Sequence, residues 1–307
     1  MNRLIRYITF VGITFCSVES FAQNDIDVSH YMFDEISYNP AFTGEGETFR
    51  ASLLARKQWL GFNGSPLLQT LSVDGATKHY GGFGLHVVND KLGFENNVTA
   101  TFNYSYGVNL SKNSRLTAGF AAGIIDRYIN ASDFIYQDPT QTDPDGYYEN
   151  NNNIIPTLNF GLNLAVQKFT LGASATHIAN SLSNATIKKL PRHIFGYANY
   201  TFTPNPKLEI VPSVLIKYGS AKTQGEGNVT AYFNQKFWLG ASYRSKESII
   251  LLAGIILRER IFMGYSFDYN IGEHSQFTYG SHEVFLSWRM RKDPHQKGFY
   301  QSTRLFN

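Results

Sequence analysis

The stretch VTATFNYSYGVNL, from Val98 to Leu110, alternates apolar and polar residues without a break over 13 positions. Valine, alanine, aromatic residues and leucine hold one parity, while threonine, asparagine, serine and glycine hold the other. A period of two places the two sets on opposite faces of a β-strand. A tilted strand crosses a bilayer in about 10 residues. The stretch therefore predicts a β-strand with one apolar and one polar face, long enough to cross a membrane.

Similar runs occur along the whole chain. Leu158–Val166 and Phe169–Ala175 alternate in the same way, and only Gln167 and Lys168 separate them, which predicts a hairpin. We count about 14 candidate strands, each near the length of a tilted membrane crossing. They cover residues 49–60, 67–77, 80–90, 97–110, 114–127, 153–166, 168–178, 192–203, 207–219, 227–236, 237–246, 248–258, 260–270 and 281–291.

The number and composition of these strands predict an all-β protein, folded as an antiparallel transmembrane β-barrel. Membrane barrels have an even number of strands, and the threonine, serine, asparagine and glycine on the polar face suit a watery lumen. A soluble β-sandwich shows the same alternation, but it folds in domains of about 100 residues. No linker or proline-rich seam divides this chain into such units. The barrel is therefore preferred, and the sandwich is the alternative fold.

The amino terminus has the features of a cleaved export signal. Arg3 and Arg6 precede an apolar centre from Tyr7 to Val18, and Ser20-Phe21-Ala22 has the small-x-small pattern that precedes a cleavage site. The apolar centre is too short for a spanning helix, which needs about 20 residues. A mean hydropathy of −0.24 also argues against a helical membrane protein.

The predicted cleavage divides the chain into four segments. These are a signal peptide over residues 1–22, an N-terminal periplasmic segment over 23–48, an outer-membrane barrel over 49–292 and a C-terminal tail over 293–307. Cys16, the single cysteine, follows the bulky Phe15, which fits lipoprotein processing poorly, so we place it in the removed peptide. The net charge of +3 is small and lysine and arginine form no long runs, which predicts no nucleic-acid partner.

Sequence motifs for catalysis, cofactors or metal ions are absent. The histidines form no HExxH pair, and the chain contains no Gly-x-Ser-x-Gly elbow. The loop from Asn130 to Asn152 carries five carboxylates, but their spacing misses the calcium-loop pattern and a solvated loop is the simpler interpretation. Gly81-Gly82-Phe83-Gly84 is interpreted as small residues on a barrel wall, and His282-Glu283 as a lumenal or interfacial hydrogen-bonding pair. We predict a protein without enzyme activity.

Eight short motifs in a fixed order carry a family resemblance. They are HYMF at 30–33, YNPAFTG at 38–44, RKQWLGF at 56–62, GSP at 64–66, PRH at 191–193, KFWLGASYR at 236–244, GYSFDY at 264–269 and GSHE at 280–283. Taken together, they resemble the PorP/SprF family of the type IX secretion system and gliding machinery of Bacteroidota. The resemblance covers residues 27–292, nearly the whole predicted mature chain.

The resemblance implies an outer-membrane barrel that acts either at the periplasmic ring of the secretion apparatus or as a dedicated barrel for a surface adhesin. The implied partners are ring components or the C-terminal domain of an adhesin, besides outer-membrane lipid. The candidate partner-binding or family-signature residues are Tyr31, Asn39, Pro40, Gln58, Trp59, Pro191, Arg192, His193, Trp238, Gly240, Tyr243, Arg244, Gly264, Tyr265, Asp268, Tyr269, Ser281, His282 and Glu283. Their interpretation as folding determinants of the barrel stays open.

Some of these residues have predicted physical roles. Asn39-Pro40 favours an extended or turn conformation, because proline restricts the residue before it. We expect the surrounding segment to plug or cap the periplasmic mouth, and Gln58-Trp59 to anchor the first strand at the membrane interface. The segment from Asp25 to Gly46 and the loops are expected to carry partner binding, since loops on a rigid scaffold usually do.

A diffusion or uptake porin is the rival function. A barrel of about 14 strands lies between the filled eight-stranded and the open 16- to 18-stranded classes, so the count permits either function. Polar-face charges such as Glu209, Lys217 and Arg289 are interpreted as scattered rather than ringed, which favours a binding barrel over a selective pore. Leu162 is expected to face lipid and Asn163 the lumen.

Overall fold

The computed structural model describes residues 27–45, 49–77, 80–130, 151–179, 191–219, 223–272, 275 and 278–290. The strands are β1 Arg50–Lys57, β2 Leu67–Thr77, β3 Gly81–Leu92, β4 Glu95–Ser111, β5 Ser114–Ile129, β6 Asn151–Val166, β7 Phe169–Thr176, β8 His193–Tyr200, β9 Phe202–Asn205, β10 Leu208–Gly219, β11 Thr223–Phe233, β12 Phe237–Arg244, β13 Ser248–Leu257, β14 Ile261–Asn270 and β15 Ser281–Arg289. Among these residues, no helix combines the length and the apolar character of a membrane span. The predicted signal peptide, most of the carboxylate-rich loop and the C-terminal tail lie outside the described residues.

The strands form one closed antiparallel sheet. β1 pairs with β2 on one side and with β15 on the other, and β10 pairs with β11 to complete the ring. β8 and β9 both pair with β10, and only Thr201 separates them, so together they make one strand of the wall. The result is a closed barrel of 14 strands, as the sequence predicts. Most differences from the predicted runs are at strand ends, where β1 stops at Lys57 because the chain turns at Trp59, whose φ is 50°.

The alternation of side chains sets the two faces of the wall. Leu162 is 41% exposed on the outside, while the neighbouring Asn163 is 1% exposed on the inside, so the predicted faces are confirmed. The interior is not simply watery at this position, however. The Asn163 amide lies 3.2 Å from the Glu45 carboxylate of the N-terminal segment, which occupies the lumen.

Leu251 offers a direct test of the outer face. It lies near the middle of β13 and is 61% exposed on the outside. Leu251→Arg should lower the free energy of unfolding in lipid by about 2–4 kcal/mol, because a cation at the bilayer midplane is poorly solvated. Leu251→Ile, the matched control, should cost less than about 1.5 kcal/mol. Urea titration in lipid vesicles measures both values, and an arginine as mild as the isoleucine would show that this face does not meet hydrocarbon.

The two ends of the barrel differ in the length of their connections. At the end where β1 begins, neighbouring strands are joined by turns as short as Lys112-Asn113 and Gln167-Lys168. The opposite end carries the connections 58–66, 130–150, 177–192 and 271–280. We call these the short-turn end and the long-loop end. Outer-membrane barrels generally turn the short connections to the periplasm and the long ones outward.

The N-terminal segment, residues 27–45, fills part of the lumen, and we call it the plug. It contains two single-turn 3₁₀ helices, Glu35–Ser37 and Pro40–Phe42. Asn39 is extended before Pro40, as predicted, and its side-chain oxygen accepts a hydrogen bond of 2.9 Å from the Ala41 amide. This cap satisfies an amide at the start of the second 3₁₀ helix.

The plug runs through the depth of the barrel rather than capping one mouth. Asp27 lies at the long-loop end, 3.1 Å from Arg244, the last residue of β12. Gly44 lies towards the short-turn end, where its amide donates to Asp74 of β2 over 2.7 Å. Gly44 has a φ of +67°, and an added Cβ would lie 2.7 Å from the Gly75 carbonyl oxygen, so glycine is required at this exit. Of the two expected arrangements, a plug or a cap, the described residues form a plug, because the chain passes through the lumen before β1 begins. The assignment of one mouth to the periplasm stays a prediction.

Candidate functional site

A buried ion cluster joins the wall strands near the long-loop end of the lumen. Arg56 of β1 lies 2.7 Å from Asp268 of β14. Arg244 of β12 lies 2.8 Å from Glu226 of β11 and 3.4 Å from Asp268. Glu283 of β15 lies 3.5 Å from Arg56. These five side chains, which we call the ion cluster, come from five strands and are all buried. Burying charges is costly unless each has a partner, so each charge in the ion cluster is stabilised by an opposite charge on another strand.

The plug completes the ion cluster with both side chains and backbone. The Ser29 and His30 amides donate to the two oxygens of Glu283 over 2.8 and 2.7 Å. The Ser29 hydroxyl donates to Asp268 over 2.9 Å, and the His30 Nδ1 lies 2.6 Å from Glu283. One wall carboxylate therefore holds two consecutive plug amides.

Asp27 is the acidic side chain that the plug places beside the ion cluster. Its carboxylate lies 3.1 Å from Arg244 and 3.6 Å from Lys217. Burial by itself raises the pKa of Asp27, but the Arg244 and Lys217 cations outweigh it and hold that pKa below its ordinary value. Asp27 is therefore ionised at neutral pH and attaches the start of the plug to the wall.

Aromatic packing fixes the plug just below the ion cluster. The His30 ring stacks on Phe285 with centroids 5.6 Å apart and meets Trp238 edge-on at 5.7 Å. Phe33 packs on Trp238 at 4.8 Å. The Tyr31 hydroxyl lies 2.9 Å from that of Ser213. Apart from His30, these rings belong to a buried apolar core shared by plug and wall, so this side of the lumen is packed like a protein interior.

Inward-facing glycines of the wall make room for the plug. An added Cβ at Gly82 would lie 2.2 Å from the Thr43 carbonyl oxygen, and one at Gly119 would lie 2.2 Å from the Ala41 nitrogen. At Gly161 it would lie 1.9 Å from the Asn39 side-chain oxygen. The predicted role of Gly82 as a small wall residue is therefore confirmed, and its cause is the close approach of the plug backbone.

Gly119→Val should loosen the plug. The valine side chain and the Ala41 backbone cannot share this space, so the variant should lose about 1–3 kcal/mol of unfolding free energy, as overpacked cores do. Gly227→Val is the matched control, because nothing lies within 4 Å of an added Cβ there. Proteolysis of the folded protein, with the fragments of residues 27–45 followed by mass spectrometry, should be faster for Gly119→Val alone. Equal digestion of the two variants would mean that the plug does not contact β5.

Comparisons with known proteins agree with this architecture. The family model for the type IX secretion system membrane protein PorP/SprF matches residues 20–288. The chain belongs to this family. No curated protein matches it significantly. Among solved structures, the PorP/SprF protein is similar to the Ralstonia pickettii toluene transporter TbuX, with a TM-score of 0.53 and 11% identity over 90% of this chain and 100% of that one.

A second similar structure is the CymD monoaromatic hydrocarbon channel, with a TM-score of 0.50 and 10% identity over 89% of this chain and 95% of that one. Identities this low show a shared fold alone. The PorP/SprF protein is therefore an outer-membrane type of β-barrel whose function has to be argued from its own interior and loops.

The structure brings several predicted site residues of this PorP/SprF protein together at the plug. Trp238, Arg244, Asp268 and Glu283 form or border the ion cluster, and Tyr31 packs beside it. Asn39 and Pro40 dock on β6, where the Asn39 amide donates to the Leu162 carbonyl oxygen over 3.0 Å. The inward-facing Gly264 leaves space for His30, whose Nε2 would lie 2.7 Å from an added Cβ. Five strands and the plug thus assemble residues that the sequence presents only as separate motifs.

Other predicted site residues lie elsewhere. Tyr243, Tyr265 and Tyr269 point outward and are exposed, and the Tyr265 hydroxyl lies 2.6 Å from the His282 Nδ1 on the outer surface. An interfacial or lumenal hydrogen bond was expected of His282; this one faces outward, and its place at the membrane interface stays a prediction. The remaining candidates occupy a wall strand or the long-loop end: Gly240 on β12, Gln58, Trp59 and Ser281 at the β1–β15 rim, and Pro191, Arg192 and His193 at the start of β8.

The rim residues Trp59 and Ser281 contact each other. The Trp59 amide donates to the Ser281 hydroxyl over 3.1 Å, and the Gln58 amide donates to the Pro66 carbonyl over 3.0 Å. The next residue, Leu60, donates its amide to the Gly280 carbonyl over 2.8 Å, and its own carbonyl accepts from the Tyr279 amide over 2.8 Å. Trp59 and Leu60 therefore tie the loop after β1 to residues 279–281 at the start of β15, which extends the barrel seam at the long-loop end, while Gln58 closes the loop after β1 on itself.

Sequence reasoning missed the partners that complete the site. Arg56 and His30 lie in the family motifs but are not among the predicted site residues. Glu226 and Ser29 lie outside every motif. The interpretation of the polar-face charges as scattered is wrong for Lys217, which lies 3.6 Å from Asp27. A usable signal exists, namely a charged residue at the inward parity of a strand, because such a residue needs a partner inside the barrel.

The plug fills only one side of the lumen. Between it and β3–β8 lies a cavity of about 1070 Å³ including its open mouth, which we call the side cavity. Ile36 and Tyr38 of the plug line it, together with wall residues such as His86 and His193. Within the described ranges, no group of His, Cys, Asp or Glu has a metal-binding arrangement.

Proposed function

We propose that this PorP/SprF protein is a non-enzymatic, outer-membrane binding and assembly barrel of the type IX secretion system, which supports export and surface attachment of cargo such as gliding adhesins. The observation that carries the proposal is the plug. A segment held by buried charges and by an aromatic core occupies the lumen where a porin keeps its channel. A lumen filled by the protein's own chain favours the binding of a partner over the diffusion of solutes through the barrel.

The partner is either a ring component of the secretion apparatus or the C-terminal domain of a surface adhesin. The outer wall is committed to lipid, as its row of exposed apolar side chains indicates. Described plug residues other than Asp27, Ser37 and Glu45 are buried, so the plug has little free surface of its own. The described part of the segment from Asp25 to Gly46 is thus mostly buried, and its expected share in partner binding, which stays a prediction, is limited to its less buried residues. We therefore expect a partner to bind at the two ends of the barrel.

Gene deletion with complementation tests this function. Loss of the chain should release one class of surface cargo into the medium if the barrel is adhesin-dedicated, or block all type IX cargo if it is a core component. Growth on limiting nutrients should be unchanged. Mild detergent extraction should recover either an adhesin C-terminal domain or a ring component with the tagged barrel, and this distinguishes the two roles. Every secreted protein in place after deletion would refute the proposal.

The porin is the rival function, and the side cavity is the observation in its favour. A barrel with space beside its plug resembles a transporter that opens on demand, and two structures of similar fold are described as a toluene transporter and a hydrocarbon channel. Planar-bilayer recordings of the purified protein decide between a binding barrel and a porin. The binding barrel should give no large steady conductance, whereas a diffusion porin should conduct as isolated.

A further inference from the structure

The turns at the short-turn end are rich in positive charge. Five of them lie wholly within the described residues: 112–113, 167–168, 206–207, 234–236 and 258–260. Together their 12 residues hold one carboxylate, that of Glu259, and six cations, at least one in every turn. The six cations, which we call the basic ring, are Lys112, Lys168, Lys207, Lys236, Arg258 and Arg260. The net charge of these five turns exceeds the +3 of the whole chain.

The basic ring is open to solvent. All six of its residues are exposed, and none of them is in a salt bridge among the described residues. Arg50, which starts β1 at the same end, is by contrast buried and lies 2.9 Å from Asp74. The described part of the barrel therefore leaves most of the charge of the basic ring uncompensated.

The cations of the basic ring are close enough to act together. Their turns join β4 to β5, β6 to β7, β9 to β10, β11 to β12 and β13 to β14, so they follow one another round the rim. Neighbouring strands lie about 4.8 Å apart, which places successive turns about 10 Å apart. The Debye length at physiological ionic strength is about 8 Å, so the fields of neighbouring turns overlap. The basic ring is therefore one extended positive surface, and it suits an extended negative one.

The protein's own chain does not supply that negative surface. β15 ends at the short-turn end, but residues 291–307, which follow it, contain four lysines or arginines and one aspartate. Residues 46–49, between the plug and β1, contain one carboxylate, Glu47. Because like charges repel, the segment after β15 does not complement the basic ring, and a single glutamate does not balance six cations. The complementary surface therefore belongs to another molecule.

The position of the cations along the barrel favours a protein over lipid headgroups. The outward-facing strand residues next to the turns are apolar and exposed, as Leu110, Phe237 and Leu257 show. Such residues mark the border of the lipid-facing band. No outward-facing strand position beside a described short turn holds a lysine or arginine. The cations lie in the turns, beyond this apolar border, where a protein in the aqueous compartment can reach them.

We propose that the basic ring docks an acidic surface of a periplasmic protein of the secretion apparatus. This inference rests on the proposed function and on the usual orientation of outer-membrane barrels, whose short turns face the periplasm. It adds to that function the place and the charge of the contact. Complementary charges speed association and select the partner, and their effect falls with salt.

Site-specific photo-crosslinking in living cells tests the contact. A benzophenone amino acid at Asn113 lies in the exposed turn beside Lys112, and the same group at Asn63, an exposed asparagine of the long-loop end, is the matched control. Position 113 should give an adduct with one protein, at least tenfold more than position 63. Mass spectrometry should place the crosslink in an acidic surface of that protein. A lipid adduct alone, or no protein adduct at position 113, would overturn the proposal.

Charge variants separate the charge of the turns from their shape. The joint change Lys112→Gln, Lys168→Gln, Lys207→Gln and Lys236→Gln should lower the position-113 adduct at least tenfold. Arginine at the same four positions keeps the charge and should leave the adduct within twofold. All four side chains are exposed, so both variants should fold, and the gel mobility of unboiled protein checks this. An undiminished adduct in the folded glutamine variant would reject charge as the basis of the contact.

Salt gives a second readout that needs no variant. Isolated membranes irradiated at about 1 M salt should give at least tenfold less position-113 adduct than at about 0.1 M, since the Debye length falls from about 10 to about 3 Å. A salt-independent adduct would contradict the proposal even if the glutamine variant failed to fold.

Surface cargo distinguishes the docking surface from the function itself. The folded glutamine variant should lose at least tenfold of its surface-attached cargo, while glutamine at Lys91 and Lys246, two exposed lysines of the long-loop end, should leave cargo unchanged. Normal cargo in the glutamine variant, in a strain where full deletion removes cargo, would reject the docking surface and leave the proposed function intact. Full deletion without any effect on cargo would reject the function.

Discussion

Removal of residues 25–38 should convert a closed barrel into a conducting pore. The wall should still form, because the Arg56–Asp268 and Arg244–Glu226 pairs join strands to one another and do not depend on the plug. The deleted segment carries the plug side of the ion cluster and the aromatic core, so water enters the lumen and hydrates the charges left behind. Barrels wider than the filled eight-stranded class enclose cavities or channels when empty.

Conductance in planar bilayers and gel mobility measure this effect. The deletion variant should show large, steady single-channel openings that the full chain lacks, and both proteins should migrate faster unboiled than boiled. Ser37→Ala, which retains the plug, is the control and should stay closed. A deletion variant that folds and remains non-conducting would show that residues 27–38 do not block the lumen.

Arg244→Met should destabilise the folded protein more than any exposed arginine substitution. Arg244 is 0% exposed and lies within 3.4 Å of Asp27, Glu226 and Asp268. Methionine fills similar space but removes the cation that faces the carboxylates of Asp27, Glu226 and Asp268. Breaking a buried charge network from one side costs about 3–5 kcal/mol, because the remaining charges are left uncompensated.

Urea titration in lipid vesicles or detergent checks this value. Arg258→Met is the matched control, since Arg258 lies in the exposed turn between β13 and β14 and should change stability by less than about 0.5 kcal/mol. The double variant Arg244→Met with Glu226→Gln should recover part of the loss, because it removes one of the stranded carboxylates. Equal stability of the Arg244 and Arg258 variants would mean that water reaches the ion cluster.

The strands could be predicted from the sequence because the alternation that marks them is a local pattern. Period-two alternation depends on residues two positions apart, so β4 and the β6–β7 hairpin can be predicted without knowing what surrounds them. The same pattern gives the lipid and lumen faces, as Leu162 and Asn163 show. The turn at Asn39-Pro40 is also local, since proline restricts its neighbour directly.

The side chains and the segment that fill the lumen could not be predicted from the sequence in this way. Alternation states that a side chain points inward, but not which other inward side chain it meets. The Ser29 amide and the Glu283 carboxylate that accepts it are 254 positions apart, and they meet only because β15 closes on β1 while the plug runs through the barrel. The same closure brings five inward-facing charges from separate strands into the ion cluster.

The sequence by itself therefore determined an all-β membrane barrel, its strand number, its two faces and its PorP/SprF resemblance. The tertiary structure decided that the N-terminal segment occupies the lumen, that five strands share one ion cluster, and that a side cavity remains beside β4. The physical reason is that strand periodicity is set by the backbone of each residue, whereas burial of a charge depends on the distance to a partner from a remote strand. Strand order, register and closure fix that distance.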